Sequence, residues 1–396
     1  MKEFKLGDIS KIVSGSTAPK EELFNEKLGL PFIRAGHLEG LCNGEDINKL
    51  PKIEENTIKG MVKVPKNTIV FAKSGMSCMK ARVYQTKEEA FIVNHLAGVI
   101  CSDYIEPDYL KFYFQYNKPN RLVLDDSYPS IRLSDISNIK LIIPDRAKQI
   151  IISRVLDKCQ EIIQKRKEQI EALDELVKSK FIEMFGDPAF NPKNWKVVEL
   201  GYLLREKASN GFFAKNDEYK ANGNSKVMWL GDIINRRYSN IYGLKSVDAT
   251  EVQLNKYRVQ YGDLLFCRSS LNKDGIGKAS AVPKNVDNNI MFECHVIRTP
   301  LDLSKCVPEF IQVQSTLHYF RNQIMSNSKT ATMTTIGQDG IITTKVILPD
   351  LELQKQFVEI IYQIDKLKFE MEKSLKELED NFNSLMQKAF KGELFN

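Results

Sequence analysis

The sequence predicts an α+β protein built from two copies of one plan, joined by two long helices that form an antiparallel coiled coil. Three observations predict this fold: motifs recur about 200 residues apart, two long segments have heptad spacing, and short β-like runs lie between them. Two related copies in one chain imply a pseudo-twofold internal repeat.

The repeat is carried by short motifs that return in the same order. The recurring motifs are Lys5-Leu6-Gly7 with Glu199-Leu200-Gly201, Phe71-Ala72-Lys73-Ser74 with Phe266-Cys267-Arg268-Ser269, Asn94-His95 with Cys294-His295, and Leu141-Ile142-Ile143-Pro144-Asp145 with Val346-Ile347-Leu348-Pro349-Asp350. The offsets drift from 194 to 205 residues, as expected when loops differ in length on a shared framework.

Each Pro-Asp pair is followed by a long segment without Pro or Gly, whose apolar residues recur with heptad spacing. An a/d-type pattern over about five heptads predicts a coiled-coil helix. The residues predicted to form its seam are Ile152, Leu156, Ile163, Ile170, Leu173, Val177, Phe357, Ile361, Ile364, Met371, Leu378 and Phe382. Lys368 breaks one series. Arg166 and Lys180 break the other, either to fix the register or because the coil splays there.

The ends of these helices are also marked in the sequence. Asp145 and Asp350 are suitable N-caps, and Gly186 followed by Pro188 ends the first helix. A helix from Arg146 to Phe185 has a length of about 60 Å. It cannot bury its apolar stripe alone, so the other helix is the expected partner.

These borders divide the chain into a globular segment at 1–145, a helix at 146–187, a second globular segment at 188–349 and a second helix at 350–396. The segment 1–145 has 20 Lys+Arg against 19 Asp+Glu, and 188–349 has 21 against 14. The basic excess therefore lies in the second globular segment, which suggests an anionic partner there.

The β-like runs of the globular segments are short and separated by polar loops. The predicted strands are Thr68–Phe71, Phe91–Val93, Ile139–Ile143, Asp263–Phe266 and Lys345–Leu348, and the predicted helices are Asp108–Tyr116 and Glu309–Phe320. Strands mixed with one or two helices in each segment predict an α+β class.

Composition limits the class of protein further. The chain has 396 residues, of which 42% are hydrophobic and 27% charged, and no apolar run approaches the length of about 20 that spans a bilayer. The N-terminus has no apolar signal region, so a cytoplasmic protein is expected. Seven cysteines without a CxxC pair are expected to be reduced.

No catalytic or metal site is predicted, because each candidate motif fails on spacing. Gly277-Lys278 is followed by Ala279, and position 272 is Asn, so a phosphate-binding loop is missing. Asn191-Pro192-Lys193 lacks the second Pro of an adenine methyltransferase loop, and the four histidines have no ligand spacing.

A binding surface remains, made of polar and basic loops that follow the same strand in both copies. Such loops can contact phosphates and base edges. The residues predicted to bind DNA are Arg34, His37, Lys73, Ser74, Ser77, Lys80, Arg82, Arg132, Arg236, Arg237, Arg268, Ser269, Ser270, Asn272, Lys273, Lys278 and Lys329. The equivalent His95 and His295 are either packed structural residues or part of this surface.

The order of these parts resembles the specificity subunit of type I restriction–modification systems over the whole chain. The carriers are Leu6-Gly7-Asp8-Ile9 with Leu200-Gly201, the strands at Phe71 and Phe266, the two Pro-Asp motifs, Met184-Phe185-Gly186-Asp187-Pro188 and Ala389-Phe390-Lys391-Gly392-Glu393-Leu394. The second copy departs from the pattern at Tyr202, where the first copy has Asp8.

The resemblance implies two target-recognition domains that read a bipartite site on double-stranded DNA. It implies that the helices act as a spacer and as the docking surface for two modification (methyltransferase) subunits, with restriction and motor subunits joining them. S-adenosylmethionine, ATP and Mg are then expected on the partner subunits, and this chain is a non-catalytic subunit without a cofactor or a membrane partner.

Two alternatives remain at this point. A free-standing DNA methyltransferase or nuclease with degenerate motifs would turn over DNA in the purified state. A coiled-coil scaffold without a DNA role would show no salt-dependent binding to duplex DNA.

Overall fold

The computed structural model describes residues 2–55 and 57–394, which form two compact units. The first unit takes its residues from Met1–Lys167 and Lys373–Asn396, and the second is Glu168–Glu372. Each unit therefore contains one globular segment and a part of both long helices.

The first unit contains ten short strands and five short helices in its described residues. The strands are β1 (Lys2–Lys5), β2 (Ser10–Ser14), β3 (Leu30–Ile33), β4 (Lys52–Ile53), β5 (Lys63–Val64), β6 (Ile69–Ala72), β7 (Val83–Gln85), β8 (Ala90–Ile92), β9 (Leu96–Cys101) and β10 (Lys140–Ile143). The helices are α1 (Leu6–Ile9), α2 (Leu38–Cys42), α3 (Met76–Met79), α4 (Pro107–Tyr116) and α5 (Leu133–Ser137), followed by the long α6 (Arg146–Phe185).

The strands of the first unit form three sheets. One has the order β2-β9-β6-β7 and is antiparallel throughout, and a second has the order β4-β3-β8-β5, in which β3 and β8 are parallel. The strands β1 and β10 form a separate antiparallel pair next to α6 in sequence. Strands β6, β8 and most of β9 are buried, so these sheets enclose the core.

The second unit has the same kinds of element in its own described residues. Its strands are β11 (Lys196–Glu199), β12 (Ser209–Asn210), β13 (Ser225–Met228), β14 (Lys245–Val247), β15 (Asp263–Cys267), β16 (Ser269–Ser270), β17 (Ala279–Ala281), β18 (Ile290–Phe292), β19 (Val296–Pro300), β20 (Lys329–Thr330), β21 (Thr334–Thr335) and β22 (Lys345–Leu348). Its helices are α7 (Glu251–Tyr257), α8 (Pro308–Thr316), α9 (His318–Asn327) and α10 (Gln338–Ile342), followed by the long α11 (Leu351–Lys391).

The strand pairing of the second unit repeats that of the first. The order β12-β19-β15-β17 matches β2-β9-β6-β7, and the parallel pair β13-β18 with β14 matches β3-β8 with β4. The pair β11-β22 matches β1-β10, and Leu6 and Leu200 donate from their N–H groups to the equivalent carbonyls of Ile139 and Thr344. The internal repeat predicted from the sequence is therefore present as a repeat of topology.

Both long helices follow their Pro-Asp motifs, and α6 ends at Phe185 and α11 at Lys391. The Asp145 carboxylate accepts a hydrogen bond from the N–H of Lys148 at 3.0 Å, which caps the start of α6. Gly186 has a φ of 77°, a left-handed conformation that Gly adopts without strain, and it ends the same helix. Pro188 then prevents the helix from continuing.

The helices pair in an antiparallel sense inside each unit. In the first unit, Lys167 forms an ion pair with Glu379 at 2.8 Å, while Ile152 and Leu156 share a core with Met386. The residue numbers therefore fall along one helix as they rise along the other.

In the second unit, Asp174 pairs with Lys368, and the ring of Phe181 contacts that of Phe357 at 5.5 Å. Phe185 also contacts Phe357 and Phe310 of α8. The predicted α+β fold with antiparallel long helices is confirmed.

One predicted element is wrong. The predicted helix Glu309–Phe320 is two helices, α8 and α9, because Leu317 has extended backbone angles (φ −79°, ψ 152°) between them. The Leu317 side chain is buried, so the break places an apolar residue in the core. Among the described residues, no helix is long and apolar enough to cross a membrane.

Candidate nucleic-acid interface

A serine and a histidine meet at the end of the same strand in both units. In the first unit, Ser74 follows β6, and its Oγ forms a hydrogen bond with Nδ1 of His95 at 2.8 Å. In the second unit, Ser269 follows β15, and its Oγ forms a hydrogen bond with Nδ1 of His295 at 2.5 Å. Both imidazoles are exposed. Ser269 is buried and Ser74 is half-buried, so the Ser–His pair is a repeated feature that presents its histidine at the surface.

The basic residue before each serine is fixed by its backbone. The N–H of Lys73 donates to the carbonyl of His95 at 2.9 Å, and that of Arg268 donates to the carbonyl of His295 at 2.8 Å. The carbonyls of Lys73 and Arg268 accept from the N–H groups of Ile131 and Ile336. Two backbone hydrogen bonds therefore hold each of Lys73 and Arg268 in the same way. Both side chains are half-exposed.

A second chain segment runs beside each of these loops. Ser74 pairs antiparallel with Ser130, and the N–H of Gly75 donates to the carbonyl of Pro129 at 2.9 Å. In the second unit the corresponding segment forms the sheet β16-β21-β20, in which Ser269 pairs with Thr335. The loop after the strand and the segment before Ile131 or Ile336 therefore form one surface in each unit.

Several predicted cations on these surfaces have no acidic partner. Within residues 2–55 and 57–394, six of their side chains form neither an ion pair nor a hydrogen bond. They are Lys73, Lys80 and Arg132 in the first unit and Arg236, Lys273 and Lys329 in the second. All except the half-exposed Lys73 are exposed. A cation without a partner can bind a phosphate without first breaking an ion pair.

Other predicted residues of the first unit are engaged within the protein. Arg34 forms an ion pair with Glu21 at 2.7 Å and lies 4.9 Å from the ring of Phe24. Arg82 forms an ion pair with Glu39 at 2.7 Å. Contacts with DNA by these two arginines would compete with the carboxylates that hold them.

His37 lies close to Arg34 in a short 3-10 turn. Its Nδ1 accepts a hydrogen bond from the backbone N–H of Arg34 at 3.2 Å, so this nitrogen carries no proton. Burial and the charge of Arg34 both lower the pKa of His37 below its ordinary value of 6.5. The imidazole therefore contributes hydrogen bonding rather than charge at neutral pH.

In the second unit, Arg236, Arg237 and Lys278 line one cavity of about 590 Å³. Arg237 is directed to the long helices, because its Nε donates to Asp365 at 3.0 Å. Lys278 donates from Nζ to the side-chain oxygen of Asn235 at 2.5 Å. Only Arg236 of these three is exposed and without an ion pair among the described residues.

The remaining predicted DNA-binding side chains occupy the same loops with different exposure. Ser270 is buried in β16, and Ser77 is half-buried in α3. Asn272 is exposed, and its side-chain oxygen accepts from the N–H of Asp274 at 3.0 Å, which caps the short turn after it. Arg268 donates to the carbonyl of Cys294 at 3.2 Å.

The predicted seam residues of the long helices lie inside their units. Seven of them are buried, namely Ile152, Leu156, Leu173, Val177, Phe357, Ile361 and Ile364. The other five are half-buried, namely Ile163, Ile170, Met371, Leu378 and Phe382. Other apolar residues of the same helices are exposed, which are Ile151, Val155, Ile162, Leu176, Ile182, Leu367 and Phe369.

A buried glutamine at the start of each long helix was not predicted from the sequence. Gln149 accepts at its oxygen from the N–H of Glu106 at 2.8 Å and donates to the carbonyl of Pro144. Gln354, which is 205 residues later, accepts from the N–H of Val307 at 2.9 Å and donates to the carbonyl of Pro349. The shared offset of 205 with the Pro-Asp motifs is the signal that could have identified this pair.

One group in the second unit brings possible metal ligands together. The ligand atoms of Glu293, Cys294 and His295 lie within 4.8 Å of one another. The Glu293 carboxylate already accepts from the N–H of His295 at 2.8 Å, and the His295 ring is bonded to Ser269. The first unit has Val93 and Asn94 at the equivalent positions, so the repeated feature is the Ser–His pair and not this group.

Comparison with known proteins agrees with this arrangement. A profile of the type I restriction modification DNA specificity domain matches residues 1–172 and 192–380. The chain belongs to this family. Its resemblance to type I specificity subunits, predicted from the sequence, is confirmed, and so is the prediction of a non-catalytic DNA-recognition subunit. A free-standing methyltransferase or nuclease is not favoured.

Two curated relatives are similar over most of this specificity chain, and another is similar over a part of it. The EcoKI specificity subunit of Escherichia coli strain K12 is 24% identical over 420 residues, which covers 98% of this chain and 87% of that protein. The StySPI specificity subunit of Salmonella potsdam has the same identity and coverage. The MjaIX specificity subunit of Methanocaldococcus jannaschii is 36% identical over 150 residues, 35% of this chain and 33% of that protein.

Solved structures share the fold of the specificity chain. A chain from a study of complex assembly and conformational transition in the type I R-M system has a TM-score of 0.59 and 15% identity, over 99% of this chain and 98% of that one. The type I S subunit from M. genitalium has a TM-score of 0.52 and 13% identity, over 98% of this chain and 96% of that one. At these low sequence identities, the structural similarity supports the assignment of the fold alone.

Proposed function

We propose that this specificity subunit recognises a bipartite site on double-stranded DNA, with one half-site read by each globular segment. The observation that carries the proposal is the repeated Ser–His pair, held beside a basic residue at the end of β6 and of β15. Two equivalent polar surfaces in one chain are suited to two DNA elements.

The charges around the Ser–His pairs support binding to the DNA backbone. Three predicted cations in each unit form neither an ion pair nor a side-chain hydrogen bond among the described residues, and the segment 188–349 has 21 Lys+Arg against 14 Asp+Glu. Basic side chains bind phosphates, while Ser and His can form hydrogen bonds with base edges. The second globular segment is expected to contribute more of the salt-dependent affinity.

The proposal divides the chain into target-recognition domains at 1–145 and 188–349 and spacer helices at 146–187 and 350–396. The helix residues that remain exposed after the helices pair, such as Ile151, Ile162 and Phe369, supply apolar surface for partner chains. We assign this surface to two modification subunits, which the restriction and motor subunits join on DNA.

In this proposal the partner subunits carry out the catalytic reactions. The modification subunits would bind S-adenosylmethionine and the target adenine, and ATP with Mg would be used by the motor subunits. The assembly would act on chromosomal DNA in the cytoplasm.

The test is a map of methylated adenines across the host genome, with this chain intact, deleted, or carrying Arg268→Ala. We expect deletion to abolish methylation of one split motif. Arg268→Ala should reduce methylation of that same motif and relax the bases of one half only. An unchanged map, in cells shown to express the chain and its modification partner, would overturn the proposal.

A further inference from the structure

Each candidate interface carries an exposed pair of apolar side chains at its end. In the first unit these are Met76, which is 69% exposed, and Tyr128, which is 84% exposed. In the second unit they are Leu271, which is 84% exposed, and Met333, which is 36% exposed. We refer to Met76 with Tyr128 as the first apolar tip and to Leu271 with Met333 as the second apolar tip.

The backbone pairing shows that the two tips are equivalent. In the first unit, Ser74 pairs with Ser130 and Gly75 bonds to Pro129, so Met76 and Tyr128 are the next residues along the two segments. This arrangement places one residue of the tip on each of two neighbouring segments.

In the second unit, Ser269 pairs with Thr335 and Ser270 with Thr334, so Leu271 and Met333 are the next residues. The offsets between the tips are 195 and 205 residues, the same as those of the flanking repeat motifs. Both copies therefore have exposed apolar side chains at equivalent positions, although the residue types differ.

The surroundings of the tips indicate their partner. Each tip follows a Ser–His pair, and cations without an acidic partner in the described chain lie nearby in sequence: Lys73 and Lys80 beside Met76, and Lys273 and Lys329 beside Leu271 and Met333. A surface that serves only to dock a protein has no need of polar, cationic flanks at both of its copies. Duplex DNA offers phosphates to the cations and an apolar group in its groove to the tip.

We propose that the two apolar tips enter the major groove and bury against the C5-methyl groups of thymines, one tip in each half-site. The inference rests on the proposed function and deepens it by naming what these residues read. Two paired chain segments have the width that the major groove admits, and thymine methyl is the apolar group displayed there. A·T pairs are therefore required opposite each tip.

The experiment compares the full-length chain and its Leu271→Asn variant for binding to the duplex identified by the methylation map. Three duplexes are used: the cognate site, the same site with deoxyuridine for thymidine in one half, and an unrelated sequence. We expect deoxyuridine in the correct half to weaken binding of the unchanged protein by about tenfold. The Leu271→Asn variant should bind the cognate site about tenfold more weakly than the unchanged protein. Its affinity should not depend on deoxyuridine, and its affinity for unrelated DNA should be unchanged.

Two further variants control for folding and for general loss of apolar surface. Leu271→Met keeps an apolar side chain at the tip and should retain cognate affinity. Phe190→Ser removes another exposed apolar side chain, 83% exposed and outside both tips, and should leave all three affinities unchanged. Tyr128→Asn tests the first tip and should affect only the other half-site.

The outcomes separate this inference from the function on which it rests. If the unchanged protein shows no preference for the cognate duplex, the proposed function fails. If it prefers the cognate duplex but deoxyuridine in neither half matters, or Leu271→Asn binds as tightly as before, the inference alone is overturned. Normal DNA binding by Leu271→Asn with loss of co-purifying modification subunit would assign the tips to a protein partner and also overturn it.

Discussion

Lys368 donates from Nζ to both carboxylate oxygens of Asp174 at 2.7 Å, which joins the two long helices within the second unit. Lys368 is the residue that interrupts the apolar heptad series of the second helix. Asp174 also lies near Arg237, which pairs with Asp365. The break in the apolar pattern is thus the position of an ion-pair network.

This network predicts that Lys368→Met has little effect on stability. Both side chains of the pair are partly exposed, so the ion pair contributes about 0.2–1 kcal/mol, which an apolar residue at a heptad position replaces. Asp174→Asn should lower the free energy of unfolding by a similar amount. Denaturant unfolding of both single variants and the double variant measures the coupling. A loss above about 2 kcal/mol for Lys368→Met would contradict this interpretation.

Substitution of the buried Gln354 is expected to reduce stability more than Lys368→Met does. Gln354→Leu leaves the N–H of Val307 and a hydrogen bond to the Pro349 carbonyl unmade in a buried site. Each unsatisfied buried group costs about 1–3 kcal/mol, so the second unit should lose about 2–4 kcal/mol of stability.

The control for this prediction is the exposed neighbour Gln356, whose change to Leu should alter stability by less than about 0.5 kcal/mol. Hydrogen exchange of the Val307 amide reports the lost bond directly. Equal stability of the Gln354→Leu and Gln356→Leu variants would show that the bond is not needed.

His37 predicts a pH dependence in the first unit. Its pKa in the folded chain is lowered below 6.5 by burial and by Arg34, so the neutral ring is favoured by folding. The resulting stability is present above pH 6.5 and is lost as the pH falls through the lowered pKa. An NMR titration of the histidine ring signals measures this pKa. A His37 pKa at or above 6.5 would refute the assignment of a neutral ring.

The Ser–His pair predicts which half of the DNA site a mutation affects. His295→Ala removes the hydrogen bond to Ser269 and should weaken cognate binding by about five- to tenfold, mainly through one half-site. Fluorescence anisotropy with duplexes altered in one half at a time measures this effect. His318→Ala, a change of another exposed histidine, should bind as the unchanged protein does, and equal losses from both changes would argue against a role of the pair in recognition.

Much of the fold follows from local rules in the sequence. The start of α6 at Arg146 and its end at Phe185 were predicted because a Pro-Asp cap, heptad spacing and a Gly-Asp-Pro terminator all act within a few residues. The repeat fixed the equivalence of Ser74 with Ser269 and of His95 with His295. The shared offset alone was enough to predict these equivalences, and no long-range packing had to be known.

The parts that could not be predicted depend on long-range contacts. The break at Leu317 arises from packing of α8 and α9, and nothing in the residues 309–320 marks it. Arg237 resembles a surface cation in the sequence, yet Asp365, which lies 128 residues away, directs it to the helices. The availability of a loop cation for DNA therefore depends on which carboxylates the fold brings near it.

The glutamines Gln149 and Gln354 have a consequence for the exchange of globular segments between related chains. Each joins a globular segment to the first turn of the helix that follows it, through a hydrogen bond from the backbone N–H of Glu106 or Val307, which any residue except proline would supply. A foreign globular segment joined through its Pro-Asp motif to a helix that keeps this glutamine would form the same hydrogen bond. Exchange of a globular segment at this junction would therefore leave its attachment to the following helix unchanged.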